Sequence, residues 1–274
     1  MDTRIIVIYC VCDDYLKSIR HQEDKQQRMS DAEVLTIGIV AAVEFRGNYA
    51  AALRMMRAHG YMNYVLSRSR FSRRLHAIKE HVLVLFAQLG EVWKAGNTEQ
   101  IYALDTFPIA VCDNWRIRRC RLYQGKTYRG LIASKKRYYY GLKVHLMVTR
   151  SGAPVEFFLT PASVGDVSGL YDFDFDLPEG ALVVADRAYN HYLIEDLLAD
   201  VAIHLLPARK HNSHRPLSPA WAFLQQRYRK SVETAGSLLE RLLPKSIHAT
   251  SPAGFELKLA LFTLALSFLS LPAF

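Results

Sequence analysis

Apolar positions change their spacing near Gly96 and Asn97. Before that point they recur every three to four residues, the period of amphipathic helices. Ser30 and Glu33 form a capping-box pattern ahead of the apolar run 34–43. Gly47-Asn48 and Gly60 punctuate the next stretch, leaving a short helix to about Ala58. A longer helix is predicted from about Ser69 to Leu89, with Phe71, Leu75, Ile78 and Val82 as its apolar stripe. Several short helices with a basic late member suit a helix-turn-helix-like module.

After Asn97 the pattern becomes strand-like. The run 101–104 is apolar and ends at Asp105. Runs 142–148 and 155–159 flank Arg150-Ser-Gly-Ala153 and read as a hairpin. Run 181–185 is uninterrupted and ends at Asp186, as in a central strand covered on both faces. A helix over about 189–198, a strand over 202–206 and a helix over 221–243 complete the order. That order describes an α/β layer with a mixed sheet and flanking helices.

The chain has 274 residues, of which half are hydrophobic and 22% charged, a globular balance with room for a large core. Its four cysteines, Cys10, Cys12, Cys112 and Cys120, do not make two CxxC pairs, so they read as reduced thiols in an intracellular protein. The apolar runs 5–12 and 259–271 read as packed elements of a soluble protein, the second too short to span a bilayer. No Gly-rich phosphate loop or GxSxG elbow points to ATP, NAD or an acyl enzyme.

Charge adds a direction. The formal net charge is +9, and it is concentrated. Between Val111 and Tyr140 lie Arg116, Arg118, Arg119, Arg121, Lys126, Arg129, Lys135, Lys136 and Arg137, with Asp113 as the one acid. Trp115, Tyr123, Tyr128, Tyr138, Tyr139 and Tyr140 are interleaved. Guanidinium forks grip phosphates and aromatic faces stack on bases, so this stretch suits nucleic acid. Arg68, Arg70, Arg73 and Arg74 form a second cluster beside or opposite the stripe of Phe71 and Leu75.

Asp105 and Asp186 each close an apolar strand, where open α/β sheets gather ligands. A third acid belongs on the late helix, whose buried stripe is Val232, Ala235, Leu239 and Leu242. Glu233 and Glu240 lie seven residues apart on nearly one face, and periodicity does not choose between them. Other polar residues read as structural. Asp172, Asp174 and Asp176 alternate as on one strand edge, Asp166 suits a helix N-cap, and His145 suits a satisfied core histidine.

These segments carry a resemblance. Residues 102–109 (YALDTFPI) resemble the first acidic motif of bacterial insertion-sequence transposases. Residues 157–166 (FFLTPASVGD) and 183–189 (VVADRAY) resemble the second, and 228–234 (YRKSVET) the third. With 29–36 (MSDAEVLT), 66–71 (LSRSRF) and 254–259 (GFELKL), the chain is most similar to the insertion-sequence family numbered nine-eight-two.

The resemblance implies a helical DNA-binding domain over 1–97 and a ribonuclease-H-like catalytic domain over 98–274, with a basic insertion at about 111–140. It implies a triad of Asp105, Asp186 and Glu233, spaced 81 and 47 residues apart, as catalytic and metal-holding residues. Arg229 fits the Arg expected four residues before the Glu, and Lys230 joins it among the DNA-contacting cations. Glu240 stands where a Lys is often found, and Ala235-Gly236 replaces bulkier apolar residues. Two Mg²⁺ ions, replaceable by Mn²⁺, would turn the acidic site attractive to a phosphodiester. The implied function is cleavage and joining of the element's terminal inverted repeats, with double-stranded DNA as partner, a homodimer on paired ends and a prokaryotic cytoplasmic setting. A nuclease that cuts without joining, and a DNA-binding relic without catalysis, are the alternatives.

Overall fold

A computed structural model describes residues 2–132 and 135–271. The chain forms two compact units: Met1–Gln88 with Leu239–Phe274, and Leu89–Leu238. The expected boundary at Asn97 assigned the last stretch to the second domain. In the structure it packs with the first unit instead.

The first unit centres on helix α2 (Asp31–Phe45), in which every residue from Asp31 to Ala42 except Glu33 is buried. Its capping box forms: Ser30 Oγ accepts from the Glu33 amide at 3.1 Å, and the Ser30 amide donates to Glu33 Oε2 at 2.7 Å. Around it pack α1 (Asp2–Ser18), α3 (Tyr49–Ala58), α4 (Arg68–Ala77) and the C-terminal α8 (Pro252–Leu269). The single helix predicted over 69–89 is two, because α4 stops at Ile78 and α5 (Lys79–Gly96) starts anew. No Gly or Pro marks that break. Tyr15 holds the new start, its hydroxyl 2.8 Å from His81 Nδ1.

Helix α8 extends the apolar run seen in sequence to 18 residues, long and apolar enough by length and composition to cross a membrane. Two-thirds of it is buried inside the structure, and it packs on α2.

The second unit carries a six-stranded mixed sheet: β1 (Ile101–Asp113), β2 (Arg129–Ile132), β3 (Arg137–Thr149), β4 (Pro154–Pro161), β5 (Leu182–Ala185) and β6 (His204–Pro207). Strand β3 pairs antiparallel with β1 on one side and with β2 and then β4 on the other. Strands β5 and β6 continue beyond β1 in parallel. The order β4-β3-β1-β5-β6, antiparallel through β1 and parallel after it, is ribonuclease-H-like. Helices α6 (Tyr192–Asp200) and α7 (Pro219–Leu242) complete the unit's regular elements. Tyr102, Leu104, Met147, Val183, Ala185, Ile194 and Leu205 belong to its buried core.

Two local expectations are corrected. Residues 172–178 lie outside any strand, so their alternating acids share no edge. The cap of the short 3-10 helix Asp166–Tyr171 is Gly165, and Asp166 instead accepts from Lys143 Nζ at 2.8 Å.

Candidate active site

The sheet register brings the two aspartates together. Leu104 pairs with Ala185 across the parallel β1–β5 ladder, and that pair is the last. Asp105 and Asp186 are the next residues on their strands. Asp105 does not end β1, as its apolar run suggested; β1 continues against β3 to Asp113 while β5 stops. The acid therefore emerges where one neighbouring strand ends and the other holds the backbone straight. Asp186 instead caps the short 3-10 turn Arg187–Tyr189, its Oδ1 accepting from the Arg187 amide at 2.6 Å.

Helix α7 supplies the third acid. Gln225 Nε2 donates to the Ala185 carbonyl at 2.8 Å, tying the helix to the residue just before Asp186. One face further along, Gly236 meets Phe107 of β1. A Cβ built on Gly236 would lie 2.0 Å from the Phe107 ring. The bulk expected at position 236 is thus supplied from the strand.

The triad converges on one cation. The Arg229 guanidinium reaches Asp186 Oδ1 at 3.3 Å, Glu233 Oε1 at 3.3 Å and Asp105 Oδ2 at 3.8 Å. Arg229 and Glu233 are four apart on α7, so they share a helix face. Glu233 therefore joins the aspartates, while Glu240 is exposed and has no ion pair among the described residues. Asp105 is the most enclosed of the three carboxylates, and its pKa is pushed up to about 6. Burial is the main cause, and the charge of Asp186 adds to it. The Thr106 amide, donating at 2.8 Å, and Arg229 oppose the rise. Three carboxylates face a single guanidinium, and their all-oxygen donors suit a hard divalent cation.

A buried hydrogen-bond chain supports Asp105 from behind. Thr106 Oγ1 meets the Tyr189 hydroxyl and lies 3.2 Å from His145 Nδ1. His145 Nε2 lies 2.9 Å from Thr160 Oγ1, and its ring stacks on Phe158. Burial lowers the His145 pKa to about 4, so it is neutral, the structural histidine expected. Thr106, Tyr189, Gln225 and Phe107 were not singled out from the sequence. Thr106, Phe107 and Tyr189 do lie inside the acidic motifs, which was the available signal.

The predicted DNA-contacting cations separate into two kinds. Arg116, Arg118, Arg119, Arg121, Lys126, Arg129, Lys135, Lys136 and Arg137 are all exposed. Trp115, 71% exposed, stacks under Arg116, and Tyr138 under Arg129; Arg137 pairs with Asp113 at 2.8 Å. Arg68, Arg70, Arg73 and Lys230 are exposed too. Arg74 is a correction. Its guanidinium turns inward to Asp31, Gln27 Oε1 at 2.8 Å and the Met29 carbonyl at 3.2 Å.

Asp31 also belongs to a group sequence reasoning missed. Ligand atoms of His21, Glu23 and Asp31 all lie within 4.8 Å of one another, close enough for a metal ion. Internal partners already serve it: Asp31 is paired with Arg74 and His21, and Glu23 accepts from the Asp31 amide at 2.7 Å.

A family model described as the transposase DDE domain matches residues 95–246, more than half of the chain, and spans all three carboxylates. The chain belongs to the DDE transposase family. Within this DDE domain the matched segment begins just before β1 and runs past the end of α7. No curated protein matches the chain. Among solved structures, a piggyBac transposase synaptic complex with hairpin DNA is similar at 10% identity and a TM-score of 0.46. The match covers 96% of this chain and 71% of that one.

Proposed function

We propose that this transposase cuts and joins the terminal inverted repeats of its own insertion sequence, in a prokaryotic cytoplasm, as a member of the family numbered nine-eight-two. The observation that carries this reading is the meeting of Asp105, Asp186 and Glu233 on one guanidinium. Three elements far apart in sequence deliver acids to one point, and membership of the DDE transposase family supports reading that point as the place of DNA cleavage.

Asp105, Asp186 and Glu233 would hold two Mg²⁺ ions, or Mn²⁺. When bound, such ions activate the attacking oxygen and stabilise the leaving one. The chain's own part is positioning. The Thr106 amide fixes one oxygen of Asp105, and Gln225 sets the height of α7 on the sheet. Arg229 balances the carboxylates and stands as the cation that gives way or turns to a phosphate. The exposed cations of 111–140, with Arg68, Arg70, Arg73 and Lys230, grip the duplex backbone, and a homodimer would pair the two ends. The helical segment before Asn97 is the proposed end-recognition domain.

The test is cleavage and strand transfer on the DNA flanking the encoding gene. Asp105→Asn, Asp186→Asn and Glu233→Gln should each lower cleavage by about a thousand-fold or more, the loss of several kcal/mol of charge stabilisation. DNA affinity should stay within a few-fold. Normal cleavage by the three variants removes the triad. Cutting without joined product reduces the reading to a nuclease, and binding without cutting reduces it to a DNA-binding relic.

A further inference from the structure

Within the first unit a cavity of about 720 Å³ opens between the α2–α3 turn, α4 and the start of α8. Its lining holds three cations, Arg46, Arg68 and Lys258, and two histidines. Arg46 comes from the turn, Arg68 and His76 from α4, and His248 and Lys258 from the C-terminal segment. No Asp or Glu lines it, and Arg46, Arg68 and Lys258 have no ion pair among the described residues.

The fold pays for this concentration of charge in identifiable ways. Lys258 is half-buried; its Nζ donates to the His248 carbonyl at 2.6 Å and sits 5.2 Å from the centre of the Tyr49 ring. Burial, and then the charge of Arg68, lower its pKa. Residues 68, 72 and 76 lie at successive i, i+4 steps on α4 and all line the cavity. The first turn of α8 packs beside His76 at Gly254, where a Cβ would stand in ordinary contact, 3.4 Å from the imidazole. Gly47, at a φ of +75°, brings the α2–α3 turn down on Phe262. The N-termini of α3 and α8, capped by Asn48 and Ser251, both open on the cavity and add partial positive charge.

We propose that this cavity seats a backbone phosphate of duplex DNA, making the C-terminal helix α8 part of the DNA contact through Lys258. An oxyanion supplies what the cations lack, and the volume admits a phosphate with its flanking sugars against Phe262 and Tyr49. Arg68 belonged to the basic cluster read from the sequence. Arg46, His248 and Lys258 did not, because they come from segments that only the fold brings to α4. This inference rests on the transposase reading.

The experiment uses the full chain and measures duplex affinity by fluorescence anisotropy across a range of KCl concentrations. Lys258→Gln and Arg46→Asn are compared with wild type, Asn being chosen because it accepts the left-handed backbone of residue 46. Each should flatten the slope of log K against log salt by about 0.9, the loss of one phosphate contact, and weaken binding roughly five- to tenfold. Phenylglyoxal footprinting of wild type needs no variant to fold: duplex should protect Arg46 and Arg68.

Unchanged slopes in folded variants, or no protection of either arginine, overturn the proposal while leaving the transposase reading intact. Inorganic phosphate separates the two sources of the same chemistry. If it saturates the site by ³¹P line broadening and duplex fails to displace it, the cavity serves a small phosphate and the proposal falls. A wild-type protein that binds no duplex at all sinks the transposase reading itself.

Discussion

At the carboxylate centre three acids share one arginine, whereas between Val111 and Tyr140 nine cations share one acid. The two regions are also built differently. The centre hangs on buried connections: a parallel strand pair, the Gln225 tie, the Thr106 chain and the fit of Phe107 to Gly236. The basic stretch is mostly short 3-10 turns and edge strand, with its cations and Trp115 in solvent. Chemistry on a phosphodiester needs atoms held to fractions of an ångström, while a grip on a duplex needs only charge along its path. The contrast teaches that substitutions in the centre should act through geometry and stability, and those in the stretch through salt-dependent binding.

The sharpest test of that contrast is charge reversal. Changing Arg116, Arg118, Arg119 and Arg121 to Glu should weaken duplex binding about a thousand-fold near 0.1 M salt and lower the salt slope by ~3. The thermal midpoint should barely move, because exposed charges away from a pair contribute little to folding. A large loss of stability with an unchanged slope would erase the distinction between the regions.

Next in size is a pair of neighbours on α4. Arg74→Ala should cost about 2–3 kcal/mol by urea denaturation, because it leaves the buried Asp31 carboxylate with His21 alone. Arg73→Ala should change stability by about 0.5 kcal/mol or less and show itself only in DNA affinity. Equal stability effects would mean that the inward turn of Arg74 carries no weight.

Gly236→Ala comes third and has a telling sign. Helix propensity alone favours Ala by about 1 kcal/mol. A methyl 2.0 Å from the Phe107 ring should reverse that, for a net loss of about 1–3 kcal/mol, partly recovered by Phe107→Leu. A stabilised Gly236→Ala protein would show that the strand does not fill the position.

The smallest expected effect is that of Thr106→Val, which strips the hydroxyl that meets Tyr189 and His145. It should cost about 1–2 kcal/mol by the same denaturation measurement, with duplex affinity unchanged.

Much of the centre was legible because its acids sit at the ends of local patterns. An apolar run ending in Asp needs no tertiary information to be noticed, and Arg229 with Glu233 is an i, i+4 pair. What escaped depended on contacts between distant segments. Arg74 differs from Arg70 and Arg73 only in facing Asp31, 43 residues away. The Gly236 departure looked like a lesion until Phe107 appeared opposite it. The break at Ile78 has no local cause in composition, so periodicity ran straight through it. The return of the C-terminal helix to the first unit is likewise a fact of packing, since an 18-residue apolar helix carries no address.

The central claim is that the cation-binding point of this chain is the meeting of Asp105, Asp186 and Glu233, and not the tighter group of His21, Glu23 and Asp31. Iron-directed backbone cleavage tests it most directly: Fe²⁺ replaces Mg²⁺, ascorbate and peroxide are added, and the cut sites are read by mass spectrometry. The account predicts cuts next to residues 105, 186 and 233, suppressed by excess Mg²⁺ and absent in Asp186→Asn. Cuts confined to the region of His21 to Asp31, or cuts indifferent to Asp186→Asn, would contradict it.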